Sequence, residues 1–484
     1  MIRRPIILLI ALLLNSCSYL TIGPDYESPD LKLPGEFATA TEKLEAERSK
    51  IPSTEWWQAF GDKDLNELIV RGTNNNLSMK RAFERLSLAR ANANLSLQGL
   101  FPRLDIFTEY QKVKSPTFRF PGANKSSFSY QQYTLGGQAS WEIDIFGKLR
   151  RIYESQAETE NEQLFLTADA LRILQADLAS YYIQLRNAQA QRKIAESNLA
   201  KQKEVLNLIK QKLDVGDSSP IDFERSNALT SSTQALIPQY HAAENAALYR
   251  IATLIGDYAN ALPENLKTEA KIPKYVGPAT IGSPSDVIKR RPDIRAAEAD
   301  ARASNALVGA SIANLFPIVN FTGSLSEQGR SSKDWFSAGS RAYSLTPQIS
   351  WSILNLGSII QDIKGSRAKA REGLLAYQES ILKALEEVEA ALSQVDSELQ
   401  RKISLKSAFK SAKKVGQLAQ EQFNEGLIDS LELIEAQQTA LQSQSQLRDS
   451  EAQLALSYVR LFKALGGGWE EEKNAPEEEK LTKE

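Results

Sequence analysis

The sequence predicts a mixed α and β fold in which long antiparallel α-helical hairpins are joined to four short two-faced strands, the whole built as an internal two-fold repeat. Three observations predict it. Landmark residues recur about 210 positions apart. Runs free of Gly and Pro are longer than a compact core needs. Between those runs lie four segments that alternate apolar and polar residues, the period of a strand with two different faces.

Composition removes several function classes. The 484-residue chain has formal net charge −2, a single His (His241) and a single Cys (Cys17). Nucleic-acid binding would need a clustered basic face, and none is present. One His and one Cys cannot supply a His-based metal site, a Cys–His pair or a disulfide within the chain. Met1 and Met79 are the only methionines, too few to line a path for soft metals. Acidic residues are plentiful, but no compact α/β pattern holds a carboxylate pair in a cleft. No catalytic residues, metal site or cofactor are therefore expected. His241, in a predicted helix, reads as a surface or interface residue.

Residues 1–16 read as a lipoprotein signal peptide. Arg3 and Arg4 form a basic start, and Ile6 to Leu14 is an apolar run of nine residues, too short to span a bilayer. Leu14-Asn15-Ser16-Cys17 follows and resembles the bacterial lipobox, although Asn15 stands where a small or β-branched residue is usual. On that reading Cys17 carries covalent N-acyl and S-diacylglycerol lipid, and Ser18 in place of Asp favours the outer membrane. Beyond this segment no apolar run approaches the roughly 20 residues of a transmembrane helix. A mature chain that crosses a membrane must do so with strands.

The repeat organises the rest. Leu100-Phe101-Pro102 recurs as Leu315-Phe316-Pro317; Trp141, Gly147, Gly216, Arg250 and Gly256 recur as Trp351, Gly357, Gly426, Arg460 and Gly466. The expected divisions are an N-terminal segment at 17–73, a first repeat at 74–256, a linker segment at 257–291, a second repeat at 292–468, and a disordered acidic tail at 469–484. Each repeat reads helix, two strands, very long helix, turn, helix. The strands are expected at about 102–114, 128–145, 317–328 and 343–354.

Lys148 to Val215 spans 68 residues without Gly or Pro, roughly 100 Å as one helix. Its apolar positions, among them Leu171, Leu174, Leu178, Tyr181 and Leu185, step by alternating three and four, with Arg192 and Gln202 interrupting. That 3.5 period predicts packing along a partner helix. Ile381, Leu385, Val388, Leu392, Val395 and Leu399 repeat it. At the first turn Gly216 suits a C′ position, with Ser219, Pro220 and Asp222 as N-cap, N1 and N3 of the next helix. At the second, Gly426 ends the helix, and Asp429 with Glu432 resembles a capping box.

In the strands, Leu135, Ala139, Trp141 and Ile143 alternate with Thr134, Gln138, Ser140 and Glu142. Val319, Phe321 and Leu325 alternate with Asn320, Thr322 and Ser324, while Leu345, Ile349, Trp351 and Ile353 alternate with Thr346, Gln348 and Ser350. Leu104, Ile106 and Tyr110 give a weaker version. Such runs suit a wall between lipid and a wet lumen, or equally a soluble antiparallel sheet. If they cross lipid, four cannot close a barrel, so two or three chains must share one.

Several runs carry a resemblance: Ile22-Gly23-Pro24-Asp25-Tyr26 with Pro29, Trp56-Trp57, Trp141-Glu142-Ile143-Asp144-Ile145-Phe146-Gly147, Arg290-Arg291-Pro292-Asp293-Ile294-Arg295-Ala296-Ala297-Glu298, and Leu315-Phe316-Pro317. From Cys17 to about Gly467 the chain resembles the TolC-type outer-membrane channels, in particular the NodT/OprM-like lipoprotein branch serving resistance–nodulation–division (RND) efflux pumps. The resemblance implies a homotrimer with a transmembrane β-barrel of four strands per chain and a trimeric α-barrel across the periplasm. It implies a periplasmic adaptor (membrane fusion) protein, an inner-membrane RND-type transporter and outer-membrane lipid as partners. The implied role is a passive exit duct for drugs or other small molecules; type I secretion or metal-ion efflux are the alternatives within the class, and a lipid-tethered coiled-coil scaffold the alternative outside it.

Site residues follow from the same resemblance. Spacing alone reads Leu431 as hairpin core and Glu435 as a solvated helix residue. The resemblance instead implies that both line the gate constriction. Relatives carry Tyr and Arg before the turn Gly, where this chain has Phe423 and Asn424, so an Arg-based salt bridge at the gate is in question. The adaptor is expected to dock on the hairpin tips, at Gly216, Asp217 and Ser218 and at Gly426, Leu427, Ile428, Asp429 and Ser430.

Overall fold

A computed structural model describes residues 21–39, 46–47, 54–114, 129–277 and 279–469. The expected signal peptide, Cys17, position 128 and the tail from Glu470 onward lie outside them. Two helices come first, α1 (Lys63–Asn75) and α2 (Leu77–Gln98). Asn76 divides them, so α1 runs through the division expected at 73–74. After α2 come strands β1 (Arg103–Lys114) and β2 (Ser129–Ile143), then α3 (Lys148–Asp214) and α4 (Pro220–Leu254). A short α5 (Pro284–Arg290) leads into α6 (Pro292–Ala313), β3 (Ile318–Gly329), β4 (Arg341–Ser350), α7 (Leu356–Asn424) and α8 (Ser430–Ala464). The paired elements match in length: 22 residues in α2 and α6, 67 and 69 in α3 and α7, 35 in α4 and α8. Among the described residues no helix is long and apolar enough to cross a membrane.

The chain folds as two compact units, each drawing on both halves of the sequence. The first comprises Met1–Asp30, Leu86–Gln163 and Ala297–Tyr377 and holds the sheet. Its order is β1-β2-β3-β4, every neighbour antiparallel. The register lines up Leu104, Ala139, Gly323 and Leu345 across the sheet, and beside them Ile106, Gly137, Leu325 and Tyr343. Directly paired residues share a face, so one face is apolar. The other carries Gln138, Ser140, Thr322, Ser324, Ser344 and Thr346, with Ser324 and Ser344 hydroxyls 2.8 Å apart and Gln132 bonded to Gln328 at 2.8 Å. The apolar face is bare within the chain: Ile106 is 80% exposed and Ile349 72%. Among the described residues, the outer edges of β1 and β4 have no partner strand.

Strand β4 stops short of its expected end. Ser350 pairs with Ile318, so Trp351 would have to pair with Pro317, which has no N–H to give. Trp351 lies beyond the strand, and Ile353 opens a 3₁₀ turn at Ile353–Asn355.

The second unit comprises Leu31–Arg85, Leu164–Ala296 and Gln378–Glu484. Its largest core joins Trp56, Trp57 and Phe60 to α1, the middle of α3, the end of α4 and the end of α8. Trp56 stacks on Phe462, centroids 5.7 Å apart. The heptad positions Leu171, Leu174, Leu178 and Leu185 are buried, but so are Tyr182, Ile183, Arg186 and Gln189, each fully. The helix is therefore surrounded here and packed along more than one stripe. A Cβ on Gly72 of α1 would sit 2.4 Å from Leu178 Cδ1, which shows how closely α1 covers α3. Trp469, assigned above to the disordered tail, belongs to the fold instead. It is buried, donates its Nε1–H to Arg290 O at 2.9 Å and meets Phe165 edge-on.

Candidate functional site

The hairpin turns are built alike. Gly216 and Gly426 take positive φ, 79° and 73°, the left-handed conformation that ends a helix without a Cβ clash. Asp217 N–H then reaches back to Lys212 O at 2.7 Å, and Leu427 N–H to Gln422 O at 2.9 Å, satisfying helix-end carbonyls. Helix α4 starts with Ser219 and Asp222 bonding reciprocally and Pro220 in the first turn. Helix α8 starts with the Asp429 side chain accepting Glu432 N–H at 3.0 Å.

The expected docking residues are not equally available. Gly216, Asp217, Gly426, Leu427 and Asp429 are exposed, Leu427 by 67%. Ser218 and Ile428 are half-buried, and Ser430 is buried. Ile428 packs inward onto an apolar cluster that draws on all four helix ends: Val205, Leu208 and Ile209 of α3, Phe223 of α4, Ala419 and Phe423 of α7, and Leu433 and Ala436 of α8.

That cluster decides the face of α8. Leu433 is fully buried in it, whereas Leu431 is half-buried outside it and Glu435 is exposed. The hairpin-core role is thus filled by Leu433, not Leu431. At about 100° per residue, Leu431 and Glu435 lie one turn apart on a common face, turned well away from Leu433. The pair expected at the constriction therefore shares the side of α8 that faces away from the hairpin cluster. His241 is exposed, its Nδ1 3.1 Å from Asn245 Nδ2.

Two features were quoted above only as sequence runs, and their work is visible only in three dimensions. Arg291 is 2% exposed; it donates to Asp293 at 3.0 Å and to Ala464 O, the last turn of α8, at 3.0 Å, and pairs with Glu387 at 2.6 Å. Arg172 of α3, itself buried, donates to Lys463 O and to Asp169. Two guanidinium groups thus cap the negative end of α8. Burial would raise the Asp293 pKa, but bonding from Arg291 and the charge of Arg172 outweigh it and hold the carboxyl below its ordinary range. Asp169 goes the other way, because burial outweighs its bond to Arg172.

The second feature is a strap at residues 21–30. Ile22 N–H bonds Phe146 O at 3.2 Å, and Arg151 holds Ile22 O, Gly23 O and Asp25. Gly23 lies against Gly309 so closely that a Cβ would stand 2.3 Å from the Gly309 Cα. Neither feature has a motif chemistry that spacing could reveal. The paired glycines 286 positions apart, and arginines flanking Pro292, were the only signals.

Comparison with known proteins agrees over most of the chain. The profile of the family described as outer membrane efflux protein matches residues 68–257 and 283–467. The chain is 29% identical to nodulation protein T of Rhizobium leguminosarum bv. trifolii, covering 95% of this chain and 96% of that protein. It is 26% identical to outer membrane protein OprJ of Pseudomonas aeruginosa, covering 96% and 95%. The structure of the outer-membrane channel OprN superposes with a TM-score of 0.87 at 33% identity, covering 93% of this chain and 99% of that one. The open state of the Neisseria gonorrhoeae MtrE outer membrane channel shares the fold, with a TM-score of 0.82 at 23% identity and coverage of 93% and 98%. With both halves matched by one profile and nearly the full length shared with a channel of known structure, this chain belongs to the outer membrane efflux protein family, whose members are channels and not enzymes.

Proposed function

We propose that three copies of this chain form the outer-membrane exit duct of a tripartite efflux pump. The observation that carries the reading is the sheet: four strands, apolar on one face and polar on the other, with both edges unpaired among the described residues of one chain. Open edges are not tolerated in lipid, so copies must pair edge to edge, and three copies supply a closed barrel of twelve strands. The long hairpins of the three chains continue the wall as an α-barrel, and the chain itself arose by duplication of one module. Cys17 carries the lipid that tethers the assembly to the outer membrane.

In this reading the duct is passive. A periplasmic adaptor docks at the exposed turns, Gly216-Asp217 and Gly426-Leu427, and an RND-type transporter in the inner membrane supplies the energy. Rings of Leu431 and Glu435 constrict the resting tip: three leucines exclude water, and three carboxylates hold cations while repelling one another. A lipid-tethered scaffold would leave the bare apolar face of the sheet without a use.

Single-channel conductance in planar bilayers tests this. The wild type is expected to conduct little, and Leu431→Ser with Glu435→Ala several-fold more. A wild-type conductance that is already large and unchanged by the pair would remove both residues from the constriction. A protein that fractionates away from membranes, with no heat-modifiable oligomer on gels, would remove the duct itself.

A further inference from the structure

The apolar face of the sheet differs at its two ends. The strands meet the helices at one end, near Arg103, Ile143, Ile318 and Ser350; the distal end lies at Lys114, Ser129, Gly329 and Arg341. Which residues share the face follows from the pairing, every second position from Leu104 in β1 and from Leu345 in β4. Toward the distal end, β1 presents Leu104, Ile106, Thr108, Tyr110, Lys112 and Lys114. In the same direction β4 presents Ile349, Pro347, Leu345, Tyr343 and Arg341. Both edge strands therefore run from apolar residues through tyrosine to cation. Tyr110 also meets Tyr133 of β2, ring centroids 4.7 Å apart, just before the lysines. At the helix end the strands carry no charge on this face, only residues such as Trp141, Ile143, Val319 and Ile349.

One acid shares the distal end of the face, Glu327, paired with Arg341 across β3 and β4. It accepts from Arg341 Nε at 3.2 Å and from the Ser340 hydroxyl. The Arg341 side chain is still 70% exposed, and its two terminal amino groups carry further N–H donors. Lys112 and Lys114 are exposed and have no ion-pair partner among the described residues. Lys and Arg facing lipid are costly at the middle of a bilayer and tolerated at its surface, with tyrosine at the headgroup level. The order along both strands places the three cations there.

In one chain β1 and β4 are opposite edges, three strand spacings or about 14 Å apart. A barrel closed from several copies sets β4 of one chain beside β1 of the next. Arg341 then neighbours Lys112 and Lys114 of the next copy, on the same face and at the same end. We propose that each seam between copies binds a phosphorylated lipid of the outer leaflet, its phosphate held by Arg341 of one chain and Lys112 and Lys114 of the next. The proposal rests on the shared-barrel reading above, in which the helices continue into the periplasm and the distal end faces outward. Arginine supplies paired donors that match a phosphate, and the lysines add charge. The occupant is a lipid and not a free anion because the cations border open apolar surface for acyl chains: Tyr343 is 77% exposed and Leu345 68%. Since one chain holds only half of each site, a lipid bound at the seam stabilises the assembled trimer.

The test uses full-length trimers in detergent, with lipid A bearing both phosphates as the probe. Lipid A is expected to raise the temperature at which trimers dissociate on gels, with one molecule bound per seam. Arg341→Gln or Lys114→Gln should weaken binding about fivefold, and Lys112→Gln/Lys114→Gln/Arg341→Gln on the order of a hundredfold. Arg341→Lys, which keeps the charge, should bind more tightly than Arg341→Gln. Lipid A stripped of phosphate, and inorganic phosphate alone, should give no shift. Equal stabilisation by the stripped lipid would overturn the cationic site, and an equal shift from inorganic phosphate would overturn the lipid. Undiminished binding in the triple variant removes these residues from the site; if that variant does not assemble, the single variants decide the same point. The seam is read by Lys114→Cys/Arg341→Cys with a short bismaleimide, Cys17 being blocked by its lipid, and covalently linked trimers are expected. Heat-modifiable trimers that show no link between chains would end the seam and leave the duct standing. A wild type that forms no trimers at all would instead end the duct reading.

Discussion

The indole Nε1–H of Trp351 donates to the carbonyl oxygen of Leu315 at 3.0 Å. Trp141 makes the same bond to Leu100, also at 3.0 Å. Each tryptophan follows or ends a strand and each carbonyl opens a Leu-Phe-Pro turn, so two halves of the chain solve one local problem identically. The Leu carbonyl lies two residues before a proline and outside the strand ladder, and the indole gives it a donor. Phe146 and Phe316 stack nearby, centroids 4.7 Å apart.

Replacing Trp141 by Phe removes that donor and leaves the Leu100 carbonyl unpaired in a half-buried setting. The expected cost is about 1–2 kcal/mol, seen as a lower melting temperature of the assembled protein. The more exposed Trp351→Phe should cost about 1 kcal/mol or less, because water can replace the donor. Equal losses at the two sites would contradict this account.

The strap is held by contact, not by charge alone. Any Cβ on Gly309 would meet Arg151 Nε and Ile22 O at 2.8 Å. Gly309→Val is expected to push the strap off α6, exposing residues 21–30 to protease while the long helices stay folded. Unchanged resistance of that segment would show that the close approach is dispensable.

The arginine cap on α8 predicts both a mutational and a pH effect. Arg291→Ala leaves the half-buried Asp293 with only Arg172 beside it and frees the Ala464 carbonyl, and losing charged hydrogen bonds of this kind costs about 1.5–3 kcal/mol. Asp293 has a folded pKa below the ordinary aspartate value of 3.8, so its contribution is present above that value and is lost as pH falls through the folded pKa. Asp169 has the opposite sign: its folded pKa is raised, so its contribution is present at low pH and fades as pH rises through that value. Melting temperature should therefore drop on acidification below 3.8, and Asp293→Asn should be less stable at neutral pH but flatter below 3.8. A steeper acid limb in Asp293→Asn would reverse the assignment.

Lipid attachment at Cys17 predicts incorporation of labelled palmitate into the wild type and its loss in Cys17→Ala. Label retained in Cys17→Ala would place the acylation elsewhere.

Much of the site was legible in one dimension because turns and caps are local. Gly216, Ser219, Gly426 and Asp429 act on residues within five positions of themselves, so their chemistry is readable from spacing. The lining of the tip was not. Leu431 and Leu433 are equally apolar, and only the neighbours brought by another hairpin decide which is core and which faces outward.

The sequence by itself determined what depends on periodicity: the long helices, their turns, the two-faced strands and the doubling of the whole pattern. Tertiary structure alone decided what depends on distant partners. Trp351 leaves its strand because Pro317 lies opposite, the middle of α3 is wrapped on several sides, Trp469 is core, and Arg291 reaches across to the end of α8. Periodicity records how a segment meets a face, but not which residues arrive to cover it. Those partners stand more than a hundred positions away for Arg291 and Trp469, and they meet only when the chain has folded.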